Sequence, residues 1–160
     1  MKSLVIGPND GESWWQPLPS RGYVNTYITP ENNPYHDFSS GIQVLPPGGQ
    51  VREHGHTINH ELIFIYKGTG TVTINDKTHN IEAGSTVLFA DNDLHIIDNT
   101  GTSDIHMFWV FMPPRLEEWF RAIGQPRIPG EPMPKAFPRP PNTNDAMSTQ
   151  KFVKSKSEKI

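Results

Sequence analysis

Gly48-Gly-Gln-Val-Arg-Glu-His54-Gly-His56-Thr-Ile-Asn-His60-Glu61-Leu-Ile-Phe-Ile-Tyr-Lys-Gly68 is the stretch on which the reading of this chain turns. His54 and His56 are two residues apart, so on an extended chain both side chains point to one face. Two imidazoles on one face are a ready pair of donors for a divalent transition metal. Glu61 opens the next apolar run and offers a carboxylate from a neighbouring strand. His95 opens another short run after a turn. One histidine near a turn is usually a surface residue, and a pair at i, i+2 is still weak evidence. It is the whole set that carries weight.

Outward from this stretch, residues 38–112 read as short apolar runs broken by turn residues. Gly41–Leu45, Leu62–Lys67, Thr71–Asn75, Thr86–Ala90, His95–Asp98 and Ile105–Met112 favour Val, Ile, Phe, Tyr and Thr and show partial alternation. Pro-Pro-Gly-Gly at 46–49, Lys-Gly-Thr-Gly at 67–70, Glu-Ala-Gly at 82–84 and Asp-Asn-Asp at 91–93 suit tight turns. Short strands at this spacing predict an all-β sandwich or barrel. Residues 1–37, rich in Pro, Asn, Gly and aromatics, form an N-terminal arm with one strand, Tyr23–Thr29. In 113–141, Leu116, Trp119, Phe120 and Ile123 recur at helical spacing and Gly124 ends the helix. Seven prolines between Pro126 and Pro141 then predict an extended segment packed on the barrel. Residues 142–160 are polar and Lys-rich and are expected to be disordered.

Composition narrows the chemistry. Among 160 residues there is no cysteine, which removes disulfides, thiolate metal sites and a cysteine nucleophile together. Any metal must sit on nitrogen and oxygen, and seven histidines are available. A net charge of −3 gives no basic footprint for nucleic acid. No run approaches the roughly 20 apolar residues of a membrane helix. Gly7 and Pro8 stop the first apolar run short of a secretory signal, so the chain is read as cytoplasmic.

The histidine stretch resembles the first motif of the cupins, which is Gly, five residues, His-x-His, three or four residues, Glu, six residues, Gly. Here Gly48, His54, His56, Glu61 and Gly68 fit it. The second cupin motif is Gly, five residues, Pro-x-Gly, two residues, His, three residues, Asn. Gly84, His95 and Asn99 fit at the same spacing, with Ala90 and Asn92 where the motif has Pro and Gly. Asn tolerates the left-handed conformation that the glycine supplies. The resemblance covers about residues 38–112. It implies a double-stranded β-barrel (jelly roll) with a metal held inside it by His54, His56, Glu61 and His95. His60 is the rival to Glu61, because adjacent strand residues face opposite ways; with Glu61 as the ligand, His60 becomes an outer-shell or interface residue.

Around the site, Gln43 and Ile63 are expected to line a mainly apolar pocket with Ile65 and Ile97. His106 and Phe108 join them if that face of the last strand points inward. His106 is then a candidate acid or base beside Glu61, the alternative being a histidine satisfied by backbone near the barrel end. His79 reads as a surface residue. Fe(II) is the preferred ion, with Mn, Ni, Zn or Co suiting the same donors.

The resemblance implies a metal-dependent enzyme on a small, partly hydrophobic organic substrate. A non-haem Fe(II) dioxygenase comes first, because three His and one carboxylate leave sites for a chelating substrate and O₂. The segment after the barrel is loosely similar to quercetinase-like cupins. A lyase, decarboxylase, isomerase or cyclase using the metal as a Lewis acid is the alternative, and a non-catalytic small-molecule-binding cupin the second alternative. The resemblance also implies a homodimer.

Overall fold

The strands form where β-branched and aromatic residues alternate between two faces, and two antiparallel sheets result. The structure is a computed structural model and describes residues 3–32, 37–141, 143, 152 and 153. In chain order the strands are β1 (Glu12–Trp15), β2 (Tyr23–Ile28), β3 (Ser39–Leu45), β4 (Gln50–His56), β5 (His60–Lys67), β6 (Thr69–Ile74), β7 (Lys77–Glu82), β8 (Thr86–Phe89), β9 (His95–Asp98) and β10 (Ile105–Met112). Helix α1 (Leu116–Ile123) follows, then two short strands, β11 (Gln125–Pro126) and β12 (Phe152–Val153). One sheet has the order β11-β1-β2-β3-β10-β5-β8 and the other β12-β4-β9-β6-β7. This is the jelly roll the sequence predicts. No helix among the described residues is long and apolar enough to cross a membrane.

The core lies between the sheets. On β10, Ile105, Met107, Trp109 and Phe111 are buried, while His106, Phe108, Val110 and Met112 face the other way. On β5, Glu61, Ile63 and Ile65 are inward. Each fully buried aliphatic or aromatic side chain contributes about 1.5–3 kcal/mol, which fixes the register of both strands. The expected inward face of β10 is therefore corrected: His106 and Phe108 point away from the interior. The reason is that the outer face of this sheet is apolar too, with Phe64 40% and Leu88 59% exposed, so residue type does not mark the inside.

The segment read as an arm contributes β1 and β2 to the larger sheet. β4 and β7 were not anticipated as strands, because β4 carries polar residues inward and β7 is a mostly exposed edge. The expected disorder of 142–160 falls outside the described residues except at Thr143, Phe152 and Val153. There, β12 pairs with β4 in the register Phe152 to His56, so these two residues are ordered on the sheet edge.

The two motifs are tied by backbone. Gly48 N–H donates to Asn99 O (3.0 Å) and Asn99 N–H to Gly49 O (2.9 Å). The buried Asn99 amide donates to Leu45 O (2.7 Å) and Ser103 O (2.9 Å) and accepts from Gly101 N–H (3.0 Å). Gly68 closes the β5–β6 turn with φ 87°, and a Cβ there would run into the Asp104 carbonyl oxygen. Asn99→Ala removes three buried hydrogen bonds at about 1 kcal/mol each. We expect urea denaturation to show a loss of about 3 kcal/mol, with the same fold retained by circular dichroism.

Candidate metal centre and adjoining cavity

Three strands deliver four side chains to one point. β4 turns His54 and His56 inward, and its antiparallel pairing with β9 sets His54 opposite His95. The ring centroids are 5.0 Å apart for His54 and His56, 4.3 Å for His54 and His95, and 5.4 Å for His56 and His95. Glu61 reaches in from β5 of the other sheet. Its Oε2 lies 3.2 Å from His56 Nε2 and 3.7 Å from His95 Nε2. One donor atom from each of the four falls within 4.8 Å of the others.

The rings are held in orientation by backbone. His54 Nδ1 lies 2.8 Å from Arg52 O and His95 Nδ1 3.0 Å from Asp93 O. A carbonyl only accepts, so each Nδ1 carries the proton and each Nε2 keeps its lone pair for the cluster. Phe89 stacks on His95 at 3.7 Å, and Phe111 meets His56 edge-on at 4.8 Å. His95 Nε2 is buried without a hydrogen-bond partner among the described residues. Such an orphan costs about 1–3 kcal/mol, and a cation within the cluster would satisfy it. The donor set, three imidazoles and a carboxylate, suits a divalent transition metal.

Protonation agrees with that fit. Burial, reinforced by the neighbouring His95 and His56, pushes the His54 imidazole down to about 3, so the ring is neutral at neutral pH. Burial alone would raise the Glu61 carboxyl. The His56 hydrogen bond and the nearby His95 ring outweigh burial and hold it well below the ordinary carboxylate range. Neutral imidazole, as at His54, and ionised carboxylate are the forms that bind metal.

A cavity of about 870 Å³, part of it open to solvent, adjoins the cluster. Val51, Ile63 and Ile97 line it from the barrel, and Leu116, Trp119, Phe120 and Ile123 from α1. The polar lining includes Gln43, Arg52, Glu53 and Arg139.

Of the residues singled out from sequence, His54, His56, Glu61, His95, Gln43 and Ile63 meet here. Three do not. His60 lies on the surface with Nδ1 3.6 Å from Asp91. His106 and Phe108 sit on the outer face of β10, where His106 Nδ1 is 3.5 Å from the Tyr66 hydroxyl. The reading from sequence missed Glu53, Arg139 and Phe152 as cavity residues, and it took the α1 residues for arm packing. Glu53 sits inside the first motif, which is the signal that pointed to it. Nothing local marks Phe152. His36 lies outside the described residues.

The family described as Cupin domain matches residues 41–111, a span that holds all four converging residues. These residues are a cupin domain. The chain is similar to Protein SchB of Streptomyces halstedii, 25% identical over 92 residues, covering 58% of this chain and 67% of that protein. It is also similar to an oxalate-binding protein of Thermotoga maritima, 34% identical over 68 residues. That match covers 42% of this chain and 56% of the relative, little more than half its length. Among solved structures it resembles a predicted oxalate decarboxylase of Thermotoga maritima. The TM-score is 0.59 and the identity 25%, over 68% of this chain and 98% of that chain.

Because His106 faces out, His106→Ala should leave the centre untouched. We expect unchanged metal content by elemental analysis and stability within about 0.5 kcal/mol of the parent.

Proposed function

We propose that this cupin is a metal-dependent enzyme: His54, His56, His95 and Glu61 hold one divalent transition-metal ion, and a small organic acid binds beside it. The observation that carries this reading is the convergence of three imidazoles and one carboxylate at the end of an apolar-walled cavity. Fe(II) is the preferred ion, and Mn, Ni, Zn and Co suit the same donors. When bound, the ion supplies Lewis-acid polarisation of a substrate oxygen.

The chain's own residues do the rest. Arg52 and Arg139 place positive charge along the cavity for a carboxylate. Glu53 lines the cavity outside the four-donor set and is the residue we assign to carry a proton to or from substrate, with Glu61 as its rival. The wall from α1 keeps bulk water from the reacting atoms. We infer a lyase or decarboxylase reaction, supported by the relatives named for oxalate.

An Fe(II)-dependent dioxygenase acting on an enolic or phenolic substrate is the second reading, and the apolar wall favours it. Binding without catalysis is the third, favoured by the relative named as an oxalate-binding protein. We also propose a cytoplasmic homodimer. The exposed Phe64, Tyr66 and Leu88 on the outer face of the larger sheet support pairing of two copies, and light scattering of the purified protein tests it.

Elemental analysis of the purified protein is expected to find about one transition-metal ion per chain. In His54→Ala and His95→Ala the content should fall at least about tenfold. Protein without metal would sink all enzymatic readings. Oxygen uptake then separates the first two: turnover unchanged under strict anaerobiosis supports the lyase, and its loss supports the dioxygenase.

A further inference from the structure

The barrel supplies the metal donors, but the segments outside residues 41–111 supply the cavity's character. Trp119 and Phe120 come from α1, and Phe152 from β12. Trp119 packs edge-on against Phe152 at 5.1 Å and under the Arg139 guanidinium at 4.8 Å. One side of the cavity is therefore an aromatic surface with a cation at its border. Gln43 also lines the cavity with an amide side chain. It offers both a donor and an acceptor to a bound molecule.

Charge selects the sign of that molecule. A divalent ion carries one positive charge more than Glu61 neutralises, and Arg52 offsets Glu53, so the cavity is net positive at the cluster. Size and polarity select its body. Oxalate is polar over its whole surface and would leave the aromatic wall in contact with water. An acid with an aryl or large alkyl group covers that wall and gains its apolar contact area.

We propose that the ligand of this site is an amphipathic carboxylate, with its anionic end at the His/Glu cluster and its apolar body on the α1 wall. The inference rests on the metal-centre reading for the positive charge of the ion. It assigns substrate selection to the segments flanking the cupin domain, chiefly to Trp119.

Isothermal titration of the full-length, metal-loaded protein tests this with three probes. Phenylpyruvate carries both features, oxalate lacks the apolar body, and phenylacetone lacks the carboxylate. Phenylpyruvate is expected to bind at least about tenfold more tightly than either of the others. Trp119→Ala should remove about tenfold of the phenylpyruvate affinity and leave oxalate within about twofold. Because Trp119 is nearly buried, a second variant at an exposed position guards against misfolding. Arg52→Gln should weaken phenylpyruvate about threefold and leave phenylacetone unchanged.

Oxalate binding as tightly as phenylpyruvate, or phenylacetone doing so, overturns the proposal. Metal content measured on the same samples separates the two failures. A metal-loaded protein that prefers oxalate overturns the substrate class alone, whereas a protein that takes up no metal overturns both readings.

Discussion

The Glu61 carboxylate lies inside the barrel, 7% exposed, with Oε2 3.2 Å from His56 and 3.7 Å from His95. An ionised carboxylate out of water is costly unless hydrogen bonds and opposite charge compensate it. Compensation here comes from β4 and β9 of the opposite sheet, so the two sheets have to meet at this point. The same requirement decides between Glu61 and His60. The inward set of β5 is Glu61, Ile63 and Ile65. Turning His60 inward would slip the strand by one residue, break its register with β8 and β10, and exchange Ile63 and Ile65 for Leu62, Phe64 and the Tyr66 phenol. Strand register therefore places the carboxylate inside.

This arrangement divides the work of the molecule. The cupin domain at 41–111 carries the four converging side chains, and backbone carbonyls of Arg52 and Asp93 orient two of the rings. The flanking segments close the space beside it: α1 forms one wall, and β12 pairs with β4 at His56 and rests Phe152 on the His54 and His56 rings. α1 stays on the barrel because one face of the helix buries Leu116, Trp119, Phe120 and Ile123. The Pro-rich segment is tied back by the Leu18 N–H bond to Phe137 O at 2.9 Å. Change in α1 can therefore reshape the cavity wall while the Arg52 and Asp93 carbonyls keep two of the rings oriented.

The sequence made the centre legible because ligand spacing is local: i, i+2 on β4, and turn-bounded positions on β5 and β9. The strands carrying polar residues were harder to see. β4 reads Gln-Val-Arg-Glu-His-Gly-His, with no apolar alternation, because its inward face carries the histidine pair. β10 failed in the opposite way. Ile-His-Met-Phe-Trp-Val-Phe-Met is apolar on both faces, and only packing shows that Trp109 and not Phe108 is inside. His106 looked inward because it shared parity with Phe108 and Val110, residues that in fact cover the outside. Phe152 was beyond reach, since its pairing with His56 spans nearly a hundred residues of chain and has no periodic signature.

Departure from the second motif at Ala90 and Asn92 is informative for the same reason. What this turn needs is a residue with positive φ, and Asn92 adopts φ 65°. Its N–H donates to His56 O at 2.6 Å, while Asp93 O receives the Nδ1 proton of His95. The turn thus grips β4 through its backbone and orients His95 on β9. Asparagine enters the left-handed region at lower cost than other side-chain-bearing residues, so the exchange keeps the shape that positions His95. Proline at position 90 would stiffen the turn, but no hydrogen bond of the site depends on it. The motif survives here as a backbone conformation and a set of donor atoms, and those are what the chemistry of the centre requires.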